Sequence, residues 1–139
     1  AFSMSIDLFA AFAVDTEAEK NGTYTQIPGA GDTLWLVARS NNVAYQTALK
    51  KQVDRNKAVL KSEGEAARSK SNEILADVMS KSILLGWQGE IVYKGEKHKY
   101  SREVAKQLLM HADFREAVSS VSDSLEVFKA VKDEEDEKN

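Results

Sequence analysis

The hydrophobic pattern of the chain changes near Arg39, and this change limits the folds that the sequence can adopt. Before Arg39, β-branched and aromatic residues come in short runs over 12–15, 22–27 and 33–38. After it, apolar residues recur every three or four positions, the spacing that places side chains on one face of an α-helix. A chain of 139 residues suits one domain. We therefore expect a mainly α fold with a small N-terminal antiparallel β portion, an α+β domain of about four helices plus short hairpins.

The pattern also sets boundaries along the chain. The predicted units are a single globular domain over 1–132, a β portion over 12–38, a helical portion over 40–131 and an acidic tail over 133–139. Five consecutive acids at 133–137 repel one another and offer nothing to bury, so we expect the tail to be disordered. Met4 suits a natural start, and residues 1–3 are interpreted as a remnant of processing or expression. The apolar run 8–14 lacks a preceding basic region, so a signal peptide is not expected.

Two breaks divide the β portion. Asn21-Gly22 favours a tight hairpin turn, because both residues tolerate positive φ angles. The second break, over 28–32, contains the only proline of the chain. We expect a small antiparallel sheet with Trp35 as its largest apolar side chain. Residues 7–11 precede it, and their composition does not decide between a helical turn and an extended segment.

The remainder of the chain predicts four helices and one hairpin. They are a helix from Ser40 or Asn41 to about residue 61, a helix over about 65–85 stopped by Gly86, a hairpin over 90–100, a helix over about 102–110 capped by Ser101, and a helix capped by Asp113. The capping residues accept a hydrogen bond from a backbone N–H of the first turn, and glycine commonly ends a helix.

The last predicted helix carries a row of apolar residues at alternating spacings of four and three, typical of a helix-packing seam. The row consists of Phe114, Val118, Val121, Leu125 and Phe128. Two interpretations remain open: the row is the core of the domain itself, or it is a stripe partly left for another subunit or a partner helix. These five residues are candidate partner-binding residues.

Charge is distributed unevenly along the chain. Residues 39–61 hold six basic residues against Asp54, whereas the segments before and after them are acidic overall. This basic helix is a solvated face, a surface for docking to an acidic protein, or a phosphate-binding surface. Nucleic acid is the least expected partner, because aromatic residues are not interleaved with the basic ones. The candidate partner-binding residues here are Arg39, Lys50, Lys51 and Arg55.

No group of residues predicts chemistry. The chain has no cysteine and two histidines, His98 and His111, which lack a metal-ligand spacing. Gly29-Ala30-Gly31 is too short for a phosphate-binding loop and lacks its lysine. No stretch approaches the roughly 18 apolar residues of a membrane span. We expect a protein that is not an enzyme, with no catalytic residue, cofactor, metal site or membrane partner.

A set of motifs, taken in order, resembles a known family. The motifs are an acidic segment over 15–24, Ala38-Arg39-Ser40-Asn41-Asn42 with Tyr45 and Leu49, a helix ending Ser82-Ile83-Leu84-Leu85-Gly86-Trp87, a polar hairpin, Tyr100-Ser101-Arg102-Glu103, Asp113-Phe114-Arg115 and an acidic C-terminus. Over residues 12–139 this arrangement resembles the tail assembly chaperones of long-tailed bacteriophages, which include the lambda G-type proteins. The segment 61–71 departs from the family in being longer and more polar.

The resemblance implies a mainly helical protein of the host cytoplasm that binds the tape measure protein and keeps it soluble. It further implies recruitment of tail tube subunits through a longer frameshifted form, self-association, and absence from the mature virion. Two alternatives remain. One is a structural tail or head-completion protein retained in the virion, and the other is a small nucleic-acid-binding regulator that uses the basic helix.

Overall fold

A computed structural model describes residues 7–129 of the chain. The helices are α1 Leu8–Ala11, α2 Thr16–Asn21, α3 Val43–Arg55, α4 Lys57–Lys61, α5 Glu65–Ser82, α6 Arg102–Leu109, α7 Ala112–Asp123 and α8 Leu125–Phe128. The strands are β1 Thr23–Thr25, β2 Trp35–Val37, β3 Leu84–Trp87, β4 Ile91–Tyr93 and β5 Glu96–His98. The predicted tail over 133–139 and the remnant over 1–3 lie outside the described residues.

The fold is a mixed α+β arrangement, and the predicted class was wrong in two respects. Residues 7–129 contain eight helices and not about four, and the strands are not confined to the N-terminal portion. Two predicted helices are each interrupted, one at Asn56 between α3 and α4 and one at Ser124 between α7 and α8. The short helix α1 lies in the segment 7–11, for which a helical turn and an extended segment were both left open, and the short helix α2 lies within the predicted β portion.

The strand β3 is the clearest difference from the predicted helix over 65–85. Helix α5 ends at Ser82, and the apolar residues that follow pair antiparallel with β2, placing Trp87 opposite Trp35. A Cβ atom on Gly86 would lie 3.6 Å from the Cβ of Leu36, an ordinary van der Waals contact, so the pairing of the two strands does not require glycine at this position. Gly86 is therefore a strand residue and does not stop the helix.

The dipeptide Asn21-Gly22 ends a helix and does not turn a hairpin. Asp15 caps α2 by accepting a hydrogen bond from the Ala18 N–H at 3.1 Å, and Gly22 follows the helix with a φ of 91°. Positive φ favours glycine here, and the side chain of Leu36 lies 2.9 Å from where a Cβ would be. Strand β1 pairs antiparallel with β2 through the longer connection that contains the second predicted break.

Two local predictions are confirmed. Strands β4 and β5 form the expected hairpin, with positive φ angles of 53° at Lys94 and 78° at Gly95 in its turn. Ser101 caps α6 by accepting a hydrogen bond from the Val104 N–H at 3.1 Å. The predicted cap of the last helix was wrong, because α7 begins at Ala112 and Asp113 lies in its first turn.

One apolar core joins the three-stranded sheet to the helices. The ring centroid of Trp35 lies 5.4 Å from that of Trp87 and 5.4 Å from that of Phe114. The buried residues of this cluster include Ile27, Val37, Ile83, Leu84, Leu109, Val118 and Phe128. The two ends of the described chain meet beside it, where Val14 forms a β-bridge with Lys129 and the Asp15 N–H donates to the Phe128 carbonyl at 2.8 Å.

Helices α3 and α4 contain no buried residue, although both pack against α5. Residues 65–73 of α5 are likewise not buried. We call α3, α4 and residues 65–73 the helical arm. Helix α5 is the element against which α3 and α4 mainly pack.

Candidate partner-binding surface

A groove runs along α5 between α3 and α7. Leu75 and Met79 of α5 and Ile83, the residue directly after it, form the floor of the groove at spacings of four. Tyr45 forms the wall on the α3 side. The wall on the α7 side is formed by Ala112, Arg115, Glu116, Ser119, Ser122 and Asp123. We call this feature the α5 groove.

The position of the α3 wall is set by Asn42. Its side-chain oxygen accepts a hydrogen bond from the Tyr45 N–H at 2.9 Å, which caps α3. Its amide nitrogen donates to the carbonyl oxygens of Arg39 at 2.8 Å and Ser82 at 2.9 Å. One side chain thus fixes the start of α3 to the end of α5. The helix starts at Val43, so neither Ser40 nor Asn41 is its cap as predicted.

The position of the α7 wall is set by Arg115. Its guanidinium donates to the Leu109 carbonyl at 3.0 Å and to the side-chain oxygen of Asn72 at 2.9 Å. These bonds hold the first turn of α7 against the end of α6 and against α5. Arg115 therefore has a positioning role.

The groove consists of two adjoining cavities that share Tyr45, Met79 and Ser119. Their volumes are about 300 Å³ and about 320 Å³. The floor from Leu75 to Ile83 spans about 12 Å of helix, a little over two turns. Alanine and serine on the α7 wall leave room for a close approach by another backbone, and the flexible Met79 side chain adapts to different contacts. Met79 and Ile83 are 4% and 2% exposed, so the groove is shallow and its floor belongs to the buried core.

The predicted apolar seam lies mostly inside the molecule. Val118 and Phe128 are fully buried, and Val121 is 7% exposed. Phe114 is half-buried against the Trp35 ring, and Leu125 is half-buried at the start of α8. The chain also bends at Ser124, so that the five residues do not lie along one continuous helix. Their burial fits the interpretation of this row as the core of the domain.

The predicted basic residues are separated by the fold. The Arg39 guanidinium lies 5.5 Å from the centre of the Phe128 ring and 3.8 Å from the Glu19 carboxylate, before α3 begins. Lys50, Lys51 and Arg55 are exposed on α3, and Lys50 forms an ion pair with Asp54 at 3.0 Å. Arg39 and Phe128 are brought together by an internal contact, whereas the other three basic residues form part of the surface of the arm.

A cluster of charges around Asp77 ties α5 to its neighbours. The carboxylate contacts Lys81 at 2.9 Å, Arg102 at 3.0 Å and Lys106 at 3.6 Å, and it accepts a hydrogen bond from the Gln52 amide at 3.1 Å. Partial burial acts to raise the pKa of Asp77 and is the largest single influence. The hydrogen bond and charge of Lys81, together with the charges of Lys106 and Arg102, outweigh it and hold the pKa below its usual value. The cluster links α3, α5 and α6 through one ionised group.

Two further apolar surfaces lie away from the α5 groove. Leu8, Phe9 and Phe12 of the N-terminal segment are 68%, 91% and 63% exposed. A wider groove of about 620 Å³ lies between α2 and the start of α3 and is lined by Thr16, Glu19, Lys20, Asn42, Val43 and Ala44. Val43 is 78% exposed at its edge.

Two other findings concern the described part of the chain. Within residues 7–129, no group of three or more carboxylate or imidazole side chains is arranged to hold a metal ion. None of the helices in this range has both the length and the apolar character needed to cross a bilayer.

Comparison with known proteins identifies the origin of the chain. Residues 40–139 match the family model described as YdaY prophage protein. The match defines a phage-derived protein. Since it covers well over half of the 139 residues, the chain belongs to the YdaY prophage protein family. No curated protein and no solved structure matches the chain.

The family match covers the floor of the α5 groove and both of its walls. It starts at Ser40 and leaves out α1, α2, β1 and β2. The groove itself was not predicted from the sequence. Its signals were present, since Leu75, Met79 and Ile83 recur at spacings of four and α7 carries small residues at 112, 119 and 122. Sequence alone does not show that these two rows face each other.

Proposed function

We propose that this protein is a phage tail assembly chaperone that binds amphipathic helices of the tape measure protein and keeps them soluble. The structural observation that carries the proposal is the α5 groove between α3 and α7, in which Tyr45 and Leu75 are half-buried and Met79 and Ile83 lie buried beneath them. Membership of a prophage family supports it. The ordered motifs that resemble lambda G-type chaperones support the more specific assignment to tail assembly.

The groove is matched to such a client in size and chemistry. A long helical protein that is not yet packed in the tail exposes apolar stripes, which aggregate when they are not covered. The groove offers the half-buried side chains of Tyr45 and Leu75 to apolar residues that recur at three and four positions in a partner helix. Because the floor spans about two turns, each copy of the chaperone covers a short segment. Many copies would therefore cover one client.

Binding of this kind needs no chemical step. The chain acts by reversible protein binding, without a catalytic residue, cofactor or metal. In this proposal it works in the host cytoplasm and is absent from the mature virion. A longer frameshifted form recruits tail tube subunits.

Self-association accompanies client binding in the proposal. The exposed apolar residues of the N-terminal segment and the basic face of α3 are surfaces suited to contacts between copies. A contact between two different surfaces repeats from copy to copy, and it produces an open assembly when its rotation does not close into a ring. Such an assembly would extend along a client.

Co-expression with the tape measure protein encoded beside it tests the proposal. The client should be recovered soluble and in complex with the wild-type chain. Ser119→Trp should abolish recovery, because an indole placed on the α7 wall fills the groove. Ser120→Trp is the matched control, since Ser120 is exposed on the same helix and lines a different cavity. An insoluble client with wild-type protein, and no isolable complex, would contradict the proposal.

Mass spectrometry of purified phage particles separates this function from its main alternative. The chaperone should be absent or present in trace amounts. Stoichiometric copies would show instead a structural tail or head protein. A titration with DNA and RNA at low salt tests the third possibility, a nucleic-acid-binding regulator. That function requires measurable binding at low salt, so an absence of binding would exclude it.

A further inference from the structure

A cluster of positive charge lies on α3 and at the start of α4. It consists of Lys50, Lys51, Arg55 and Lys57, which are all exposed, and we call it the basic surface. Asp54 lies among them and forms ion pairs with Lys50 at 3.0 Å and with Lys57 at 3.7 Å. Within the described part of the chain, Lys51 and Arg55 form no ion pair. With Asp54 counted, the basic surface has a net charge of +3.

A run of negative charge follows the described residues. Residues 133–137 are five consecutive acids, and together with its two lysines the segment 132–138 has a net charge of −3. The segment and the basic surface are therefore opposite in sign and equal in size. Groups of opposite charge attract one another when they come within a few ångströms.

The described chain ends close to the residues that lead into α3. The Arg39 guanidinium lies 5.5 Å from the centre of the Phe128 ring. The Ser40 N–H donates to the Ser122 carbonyl at 3.0 Å. These contacts place the end of α7 and α8 beside the start of α3, so the acidic run leaves the described fold near the helix that carries the basic surface.

The acidic run is long enough to reach the basic surface of its own chain. Residues 133–137 follow Lys129 by four to eight positions, which is at most about 13–29 Å of extended chain. Lys50 and Arg55 lie about 10–18 Å along α3 from Val43. The reach of the run and the position of the surface are thus comparable.

Two other groups of basic residues are less suited to bind the run. The hairpin of β4 and β5 lies at the start of α7, where the Tyr93 hydroxyl is 2.9 Å from Nε2 of His111. Helix α7 is about 18 Å long, and Phe128 follows its opposite end. The basic residues around Asp77 already share that carboxylate.

We propose that residues 133–137 bind the basic surface of their own chain. The inference goes beyond the proposed function and does not depend on it. Each exposed ion pair is weak, but a short tether gives an effective concentration of roughly millimolar order, which allows several weak pairs to form together. An acidic partner or a second copy of the chain then has to displace the run before it binds α3.

A nitroxide spin label on Asn139→Cys tests the inference by NMR. The chain has no cysteine, so the label occupies a single position, two residues after the acidic run. In isotope-labelled protein at low salt, the amides around Lys51 and Arg55 should lose most of their signal intensity. The amides of the β4 and β5 hairpin should keep theirs. Raising the salt concentration should restore the α3 signals.

Two pairs of charge reversals locate the surface. Lys51→Glu combined with Arg55→Glu should restore the α3 signals, because two attractive contacts become repulsive. Lys97→Glu combined with Lys99→Glu is the matched control, since it makes the same change of charge at exposed positions of the hairpin and should leave the loss of the α3 signals unchanged. Thermal melting by circular dichroism verifies that each variant is folded.

Neutralisation of the acidic run tests the same contact without any substitution in the described residues. Replacing the three glutamates and two aspartates of 133–137 by glutamine and asparagine should restore the α3 signals. A loss of signal that persists in this variant would contradict a contact formed by charge. Unchanged α3 signals in the wild type, or an equal loss in the hairpin, would overturn the inference.

A mixed sample separates binding within one chain from binding between copies. Spin-labelled chains without isotope are mixed with isotope-labelled chains that lack the spin label. The α3 signals should stay intact in this mixture, because each run occupies its own chain. If they are lost, the occupant is the acidic run of a second copy, and the inference is wrong.

Discussion

The helical arm and the C-terminal half of α5 follow the same helical pattern in the sequence, yet only one of them is buried. Helices α3 and α4 contain no buried residue, whereas α5 contains six, all between Ile74 and Ser82. Helix α5 contacts α3, α4 and α6 and runs into β3, whereas α3 and α4 pack mainly against α5 and against each other. Burial therefore depends on how many neighbours surround a helix, which its periodicity does not specify.

The arm relies on local interactions. Its ion pairs connect residues three or four positions apart, as in Lys50 with Asp54 at 3.0 Å and Arg68 with Glu65 at 3.2 Å. Such exposed pairs each contribute a few tenths of a kcal/mol. In the core, by contrast, a single large side chain contributes several kcal/mol. Substitutions in the two regions should therefore differ in effect by about an order of magnitude.

The largest effect is expected at Phe128. Phe128→Ala removes a fully buried ring and the contact of Arg39 with it, and we expect a loss of about 3–5 kcal/mol in the free energy of unfolding. Urea denaturation measures this. Leu125→Ala, three residues earlier and only half-buried, serves as the control and should cost clearly less. A loss below about 1 kcal/mol for Phe128→Ala would mean that α8 does not belong to the core.

The second largest loss of stability is expected at Asp77, the centre of the charge cluster at the boundary between the arm and the core. Asp77→Asn removes the charge that links α3, α5 and α6, and we expect a loss of about 1–3 kcal/mol at neutral pH. Asp54→Asn is the control, because Asp54 lies on the exposed arm and contacts only lysines of the arm. Equal effects of the two substitutions would contradict the special position of Asp77.

The same cluster predicts a dependence of stability on pH. The folded-state pKa of Asp77 lies below its ordinary value, so its contribution is present above about pH 4 and is lost as the pH falls through the folded-state pKa. Melting temperatures measured from pH 6 downward should fall below pH 4 in the wild type. The decline should be shallower in Asp77→Asn. Parallel curves for the two proteins would show that other carboxylates dominate acid unfolding.

A smaller effect is expected at Asn42, which joins the arm to the core. Asn42→Ala removes the cap of α3 and the bond to the Ser82 carbonyl, and we expect a loss of about 0.5–2 kcal/mol. Asn42→Asp keeps the cap but not the amide donor, so it should retain part of the stability. If both variants match the wild type, Asn42 does not fix α3 to α5.

The smallest effect is expected within the arm. Val53→Ser alters an apolar residue that is 39% exposed, and we expect a change within about 0.5 kcal/mol. Amide hydrogen exchange sharpens the comparison, because amides of α3 should exchange faster than those of residues 74–82 in α5. Equal protection in the two segments would show that the arm opens only with the whole domain.

Elements with strong local signals were predictable from the sequence. The hairpin of β4 and β5 depends on Lys94-Gly95, and α6 depends on its Ser101 cap, so neighbouring residues suffice to specify both. Strand β3 was not predictable in this way. Its run Leu84-Leu85 is equally suited to a helix, and the distant partner Trp35 decides the outcome by pairing with Trp87.

The candidate surface was predictable only in its parts. Tyr45 and Met79 both lie in segments that were predicted to be helical, but the groove exists because Asn42 and Arg115 place α3 and α7 on either side of α5. Such hydrogen bonds join residues 40 or more positions apart and leave no periodic trace in the sequence. The apolar row from Phe114 to Phe128, in contrast, could be found in the sequence, because its members recur at regular spacings of three and four. Such regular spacing is typical of residues in a core.

The bridge between Val14 and Lys129 makes the described chain a nearly closed loop. A short glycine linker could join its two ends, and a new opening at one of the exposed glycines Gly29 and Gly31 would then yield a circular permutant with the same core. A donor and an acceptor fluorophore attached beside Val14 and Lys129 would lie close together in the folded protein. Their energy transfer would report directly on whether this closure survives when a partner binds.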